Sequence, residues 1–261
     1  MKFGVCRGLD DFESIKFAAE VGLDYYECGF GSLAKYDDEK FNECKEFLCK
    51  NNLPCLAANG FIPGELKVVG DNIDYGALTE YLDKGFERAE KLGVKKIVFG
   101  SGAARSFPEG FSFEKAKEQM AFFLSEYAAP KAEKAGCIIV MEPLRFCETS
   151  MIHTVADGIE IARMSGKKNV AGLADLYHVF GNNDSIDGIA DFKGELLHAH
   201  IAEPEKRAYP STKDSEEVIA IYKKFIDALK LAGCQTCSIE ARTDDFKTDV
   251  ADALAILKKL V

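Results

Sequence analysis

The chain has 261 residues, 47% of them hydrophobic and 29% charged, enough apolar material for one large core or two modest ones and too much for a disordered segment. Its 43 acidic against 33 basic side chains give a formal charge of −10, which counts against nucleic-acid partners because those need a net basic surface. No apolar run approaches the roughly 20 residues that span a bilayer, and Met1-Lys2 leads straight into a strand with no charged n-region and long apolar h-region, so a cytoplasmic protein without membrane partners is expected.

Short apolar or β-branched runs alternate with longer amphipathic segments. Phe3 to Cys6 reads as a strand and Asp11 to Val21 as a helix, then Asp24 to Cys28 and Glu39 to Lys50, then Pro54 to Ala58 and Asp74 to Leu92. The second half continues with Lys96 to Gly100, Phe113 to Lys134, Cys137 to Glu142, Thr154 to Met164, Val170 to Asp175 and a weaker helix near Ser185 to Phe192. Leu196 to Ile201, Ser215 to Leu231, Thr236 to Glu240 and Phe246 to Leu260 complete the series. Gly22, Gly93, Gly136 and Gly233 each stand where a helix should stop before the next strand, as left-handed caps do. Eight βα units in about 250 residues suit a single (β/α)₈ barrel spanning residues 1–261 better than a doubly wound sheet, and no linker or low-complexity tract divides them.

Nine cysteines scattered through a full-sized domain read as reduced, buried thiols and not as a disulfide framework. Cys234-Gln235-Thr236-Cys237 precedes a strand instead of opening a helix and has no second pair at zinc-finger spacing, so it is read as coincidence. Gly100-Ser101-Gly102 after strand four lacks the third glycine and the acidic partner of a dinucleotide loop.

In a barrel of this kind, chemistry sits where the strands end and the βα loops begin. Four polar residues fall at such ends on consecutive strands: Glu142, Asp175, His200 and Glu240. Converging near the barrel axis, three carboxylates and one imidazole suit a divalent ion, Mn²⁺ foremost, with Mg²⁺, Co²⁺ or Zn²⁺ as alternatives. The absence of cysteine from the set disfavours a closed structural zinc site. Of only four histidines, His198 and His200 are two apart on one strand and share a side of it. His200 is read as the ligand, His198 as a histidine one layer deeper, and His153 as a capping or surface residue at a helix start. Asn59 after strand three and Arg105 on a loop after strand four are further candidates for contact with substrate.

Glu142-Pro143-Leu144, Asp175-Leu176-Tyr177-His178, His198-Ala199-His200 and Ser238-Ile239-Glu240, in that order and spacing, resemble the xylose-isomerase-like TIM-barrel superfamily of sugar isomerases and epimerases, over essentially the whole chain. The resemblance is to the ketose 3-epimerase and hydroxypyruvate-isomerase-like branch. It implies that Glu142, Asp175, His200 and Glu240 hold the metal and that Glu142 and Glu240 double as acid and base. It further implies that His178, Glu148 and Arg207 bind substrate and that the protein is a homodimer or homotetramer. The chain departs from the branch in reading Arg145-Phe146-Cys147-Glu148 after Leu144, which keeps the glutamate spacing but shifts the arginine and phenylalanine. It also lacks the tryptophan that many epimerase pockets pack against a sugar face.

The expected chemistry is proton transfer beside the carbonyl of a ketose through a cis-enediolate, with a metal as Lewis acid and two carboxylates acting in turn. The same proton abstraction could instead expel a β-substituent, which makes a keto-polyol dehydratase or lyase the alternative. A noncatalytic sugar-binding protein is a third reading, although sugar binding alone does not require two glutamates. An apurinic endonuclease of the same superfamily would need more histidines and a basic DNA surface.

Overall fold

The alternation of strands and helices closes on itself. The structure, a computed structural model, describes residues 1–261. Parallel strands β1 (Lys2–Cys6), β2 (Tyr25–Gly29), β3 (Cys55–Asn59), β4 (Lys96–Phe99), β5 (Ile138–Met141), β6 (Val170–Asp175), β7 (Leu196–Ile201) and β8 (Thr236–Ile239) form a closed barrel in sequence order. The ring is sealed by β1 against β8, with Gly4 opposite Ser238 and Val5 opposite Ile239.

Helices α1 (Phe12–Val21), α2 (Phe30–Lys35), α3 (Asp38–Lys50), α4 (Tyr75–Leu92), α5 (Gly102–Arg105) and α6 (Phe113–Phe122) cover the first half of the barrel. Helices α7 (Ala129–Lys134), α8 (Val155–Met164), α9 (Leu176–Gly181), α10 (Glu216–Ala232) and α11 (Phe246–Leu260) cover the rest. Their starts are written locally: the Asp11, Asp37, Asp74, Ser112, Ser215 and Asp245 side chains each accept a first-turn N–H, and Thr154 with Asp157 forms a capping box. Gly22, Gly93 and Gly233 end their helices with left-handed backbone. No helix is long and apolar enough to cross a membrane, and all nine cysteines are free thiols.

The expected helix from Phe113 to Lys134 is interrupted by a π-helical stretch, Phe123–Ala128, that carries the chain from α6 into α7 with Pro130 near the start of the latter. No glycine or proline interrupts the run before Pro130, so the pattern reads as one helix. The segment near Ser185 to Phe192 is a 3₁₀ helix over Asp187–Phe192. The short helices α2, α5 and α9 lie at strand exits and go unpredicted, because six residues or fewer carry too little periodicity to register.

The main core fills the layer between barrel and helices, where Phe30, Phe61, Phe86 and Phe99 meet edge to face. A second, small apolar cluster, Val98, Val140, Ala171 and Leu173, stands apart from it on β4, β5 and β6. The barrel interior also holds polar side chains, with Glu27, His198, His200 and Ser238 fully buried. Gly4 makes this possible: a Cβ there would overlap the ring of Tyr25, which reaches past it to bring its hydroxyl 2.8 Å from Ser238 Oγ.

Candidate metal centre

Asp175 and His200 are neighbours in register across β6 and β7, whereas Glu142 and Glu240 each lie one residue beyond the end of β5 and β8. The four side chains offer ligand atoms that all lie within 4.8 Å of one another. His200 Nδ1 stands 3.0 Å from Glu142 Oε1, 3.4 Å from Glu240 Oε2 and 3.9 Å from Asp175 Oδ2. Asp175 Oδ2 is buried without any hydrogen-bond partner, while Asp175 Oδ1 is taken by the N–H of Tyr177 at the start of α9. An orphaned buried carboxylate oxygen aimed at two further carboxylates and a ring nitrogen is a donor set suited to a cation. Three oxygens and one nitrogen fit a divalent ion of hard or borderline character.

The electrostatics follow from the crowding. Burial, with the Glu240 charge next, pushes the Asp175 carboxyl up to about 6. Burial also raises Glu142, with the hydrogen bond from His200 working against it. For Glu240 burial again pulls upward, but His200 and Arg207 outweigh it and hold the carboxyl down to about 2. Burial would strip His200 of its proton, yet Glu27 and its other acidic neighbours overcome that and hold the imidazole well above its ordinary value. The acidic neighbours thus favour the protonated imidazole where the carboxylates converge.

Glycines make room for this arrangement. A Cβ on Gly100, just beyond β4, would overlap Glu142 Oε2, and one on Gly102 would overlap the backbone oxygen of Glu148. The Gly100-Ser101-Gly102 stretch thus admits the strand-five glutamates, a task that its spacing does not announce.

The remaining candidates separate. His178, on α9, is buried with both ring nitrogens unpartnered; Nδ1 stands 3.3 Å from Glu148 Oε2 and Nε2 3.7 Å from Asp175 Oδ2. Burial lowers its pKa and favours the neutral ring. Arg207 has left-handed backbone, φ 55°, held by Arg207 N–H to Glu203 O and by Arg242 N–H to Arg207 O. Its guanidinium donates to Glu240 Oε2 at 2.6 Å and lies over the Tyr177 ring. Arg145 stacks on the same ring at 3.6 Å and donates to the backbone oxygens of Tyr177 and Pro204. Asn59 is half-buried at the end of β3. His153 sits just ahead of α8, its ring 4.1 Å from that of Phe146.

Arg105 is not where a substrate contact on a flexible loop would be. Its side chain is fully buried, with Nη1 donating to Phe99 O and Nη2 to Glu142 O. It braces the ends of β4 and β5 from behind, and burial lowers its pKa to about 10. The short helix α5 causes this, turning the arginine inward where a loop would have left it outside.

Sequence reading missed Glu27. It lies on β2, fully buried, with Oε1 2.9 Å from His200 Nε2 and Oε2 3.0 Å from His198 Nε2 and 2.6 Å from Ser238 Oγ. A lone glutamate in the middle of Tyr25-Tyr26-Glu27-Cys28-Gly29 is the signal that could have found it, since a buried strand admits a charge only with partners.

Comparison with known proteins bears on the family and the fold. The family model described as xylose isomerase-like TIM barrel matches residues 15–260. A D-psicose 3-epimerase of Ruminiclostridium cellulolyticum is 26% identical over 204 residues, covering 74% of this chain and 67% of that protein. A 3-dehydro-D-guloside 4-epimerase of Escherichia coli is 24% identical over 202 residues, covering 73% of each. Among solved structures, D-psicose 3-epimerase from Clostridium cellulolyticum H10, determined with D-tagatose, superposes with a TM-score of 0.83 at 20% identity, over 100% of this chain and 99% of that one; at that identity the likeness speaks for the fold.

Proposed function

The chain belongs to the xylose isomerase-like TIM barrel family, and on that premise we propose that it is an isomerase-class enzyme, a divalent-metal-dependent sugar epimerase or isomerase that moves a proton beside a ketose carbonyl. The observation that carries the reading is the convergence of Glu142, Asp175, His200 and Glu240 within 4.8 Å around the orphaned Asp175 Oδ2, on a scaffold whose relatives are named as sugar epimerases. These four residues would hold the ion, with Mn²⁺ the first choice for so oxygen-rich a set. When bound, the ion supplies positive charge beside the ketose oxygens and so lowers the cost of the enediolate.

The rest is the work of the chain. Glu142 and Glu240 come from the well-separated strands β5 and β8, so a substrate lying over the site has a carboxylate on either side. One removes the proton and the other returns one, to the opposite face for epimerisation or to the neighbouring carbon for isomerisation. Arg207, bonded to Glu240, holds that carboxylate ionised and oriented. The unpartnered nitrogens of His178 are ready to bind sugar hydroxyls, with Glu148 beside them. Asn59 stands at the mouth of the barrel as a further sugar contact.

The charge balance favours an unphosphorylated sugar. Arg105 is buried against backbone, Arg207 is bound to Glu240 and Arg145 is stacked on Tyr177, while Glu142, Glu148, Asp175 and Glu240 line the centre. The three arginines nearest the centre are thus committed to protein partners and not to a phosphate. The free thiols suit a cytoplasmic setting, and exposed Phe113, Phe122 and Phe146 suit a homodimer or homotetramer.

The test is deuterium exchange followed by NMR, with Mn²⁺-loaded protein and free ketoses or ketose phosphates in D₂O. Exchange at a carbon next to the carbonyl of a free ketose is expected, with Glu240→Gln slower by about 10² to 10⁴-fold. Elimination products in place of exchanged sugar, or a Glu240→Gln variant that exchanges at the wild-type rate, would overturn the assignment.

A further inference from the structure

One carboxylate holds both barrel histidines, and behind it a chain of hydrogen bonds runs down the barrel axis away from the metal centre. Glu27 Oε1 meets His200 Nε2 at 2.9 Å, and Glu27 Oε2 meets His198 Nε2 at 3.0 Å. Oε2 also accepts from Ser238 Oγ at 2.6 Å, whose own oxygen accepts from Tyr25 Oη at 2.8 Å. Beyond His198, its Nδ1 lies 2.8 Å from Thr236 Oγ1, and that oxygen accepts from the Lys96 ammonium. Thr236, His198, Tyr25 and Lys96 line a cavity of about 400 Å³ at the N-terminal mouth of the barrel, opposite the end where the metal centre lies.

The direction of every bond in this chain is decided by its two ends. An ammonium can only donate, so Thr236 Oγ1 accepts from Lys96, and its hydrogen goes to His198 Nδ1, the ring nitrogen left as acceptor once Nε2 carries the hydrogen. A carboxylate can only accept, so both His198 Nε2 and His200 Nε2 must carry hydrogen. His200 is then left with Nδ1 as the one ring nitrogen that can present a lone pair, and Nδ1 is the atom 3.0 to 3.9 Å from Glu142, Glu240 and Asp175.

We propose that Glu27 is the positioning residue of the metal centre: by holding the Nε2 hydrogens of His198 and His200 it fixes His200 in the one tautomer that turns Nδ1 toward the ion, with His198, Thr236 and Lys96 completing the alignment from the far side of the barrel. This rests on the reading of Glu142, Asp175, His200 and Glu240 as a metal site. Cys6, Glu27 and His200 also come within ligand distance of one another. That grouping is the back of the same centre and not a second one, because Glu27 already satisfies His200 Nε2 and Cys6 Sγ stands off at 4.0 Å.

Glu27→Gln keeps the shape and exchanges one acceptor oxygen for an NH₂ donor. One of the two histidines must then turn its lone pair toward position 27 and its hydrogen away from it. Metal binding reports the result without any substrate: titration of the full-length wild type and Glu27→Gln with Mn²⁺ by calorimetry should show the variant weaker by about 10 to 100-fold. Thr236→Val, which touches neither ligand nor substrate, should weaken binding by a smaller factor. Long-range ¹H–¹⁵N spectra of the four histidines in wild type test the tautomer directly, even if a variant fails to fold. His198 and His200 should keep hydrogen on Nε2 before and after diamagnetic Zn²⁺ is added, with only His200 Nδ1 responding to the ion. A folded Glu27→Gln variant with wild-type Mn²⁺ affinity, or a metal-responsive Nε2 on His200, overturns the proposal. A wild type that takes up no Mn²⁺ overturns the metal reading itself, and this one with it.

Discussion

Gly100→Ala removes no ligand and should still damage the metal centre. The position has no unusual backbone requirement, so alanine is conformationally acceptable and its methyl group is the whole perturbation. That methyl would overlap Glu142 Oε2 and stand 3.2 Å from Glu142 Cδ, so the carboxylate oxygen must move by about 1.5 Å to regain ordinary contact distance. The glutamate backbone cannot retreat with it, because its N–H is bonded to Phe99 O at 3.2 Å and its carbonyl is gripped by Arg105 Nη2 at 2.8 Å. The side chain must therefore swing, which breaks the 3.0 Å register between Oε1 and His200 Nδ1. Forcing a methyl into a packed site costs about 1–3 kcal/mol, or roughly 2–4 °C of melting temperature per kcal/mol for a chain near this size. Mn²⁺ affinity should fall by about 10 to 100-fold, as when a ligand's support is lost. Calorimetric titration and thermal melts of the metal-free protein measure the two effects separately. Gly29→Ala is the control, since its Cβ would meet only Ser32 Oγ at 3.8 Å. A folded Gly100→Ala protein that binds Mn²⁺ as wild type does would show that Glu142 is not a ligand held at this place.

Metal affinity should fall with acid in two stages. His200, held protonated in the metal-free site mainly by Glu27 against the pull of burial, must lose a proton to bind the ion, so affinity drops about tenfold per pH unit through the neutral range. Asp175, raised to about 6 by burial and then by Glu240, takes up a second proton below that pH, and the slope should steepen toward about a hundredfold per unit. Mn²⁺ titrations from pH 5 to pH 8 check this, and a slope that flattens below pH 6 would contradict it. Away from the site, Phe61→Ala should cost about 3–5 kcal/mol, because Phe61 is fully buried and meets Phe30, Phe86 and Phe99. Denaturant unfolding measures it, and a loss under 1 kcal/mol would mean that the ring cluster is not packed as described.

Much of this was legible in one dimension. Strand ends carrying Glu142, Asp175, His200 and Glu240 stand out because a barrel strand otherwise ends in apolar or loop-forming residues, and the structure brings all four together. Glu27 escaped because it does not lie at a strand exit; its role depends on β2 facing β7 and β8 across the barrel, a relation with no counterpart along the chain. The placement of Arg105 is illegible for a related reason. A four-residue helix decides whether its guanidinium points out or in, and so short a segment has no periodicity to read.

The sequence by itself determined the order and kind of the elements, since caps, glycine stops and hydrophobic period are local and each acts within a few residues. It also determined the list of groups able to bind a cation, because few residue types can. Only the closed barrel decided which of those groups meet, which nitrogen of His200 faces Glu142, Asp175 and Glu240, and which charges are committed to protein partners. Those outcomes depend on distances across the barrel between residues as far apart as Glu27 and Ser238, and closure of β1 on β8 is what sets them.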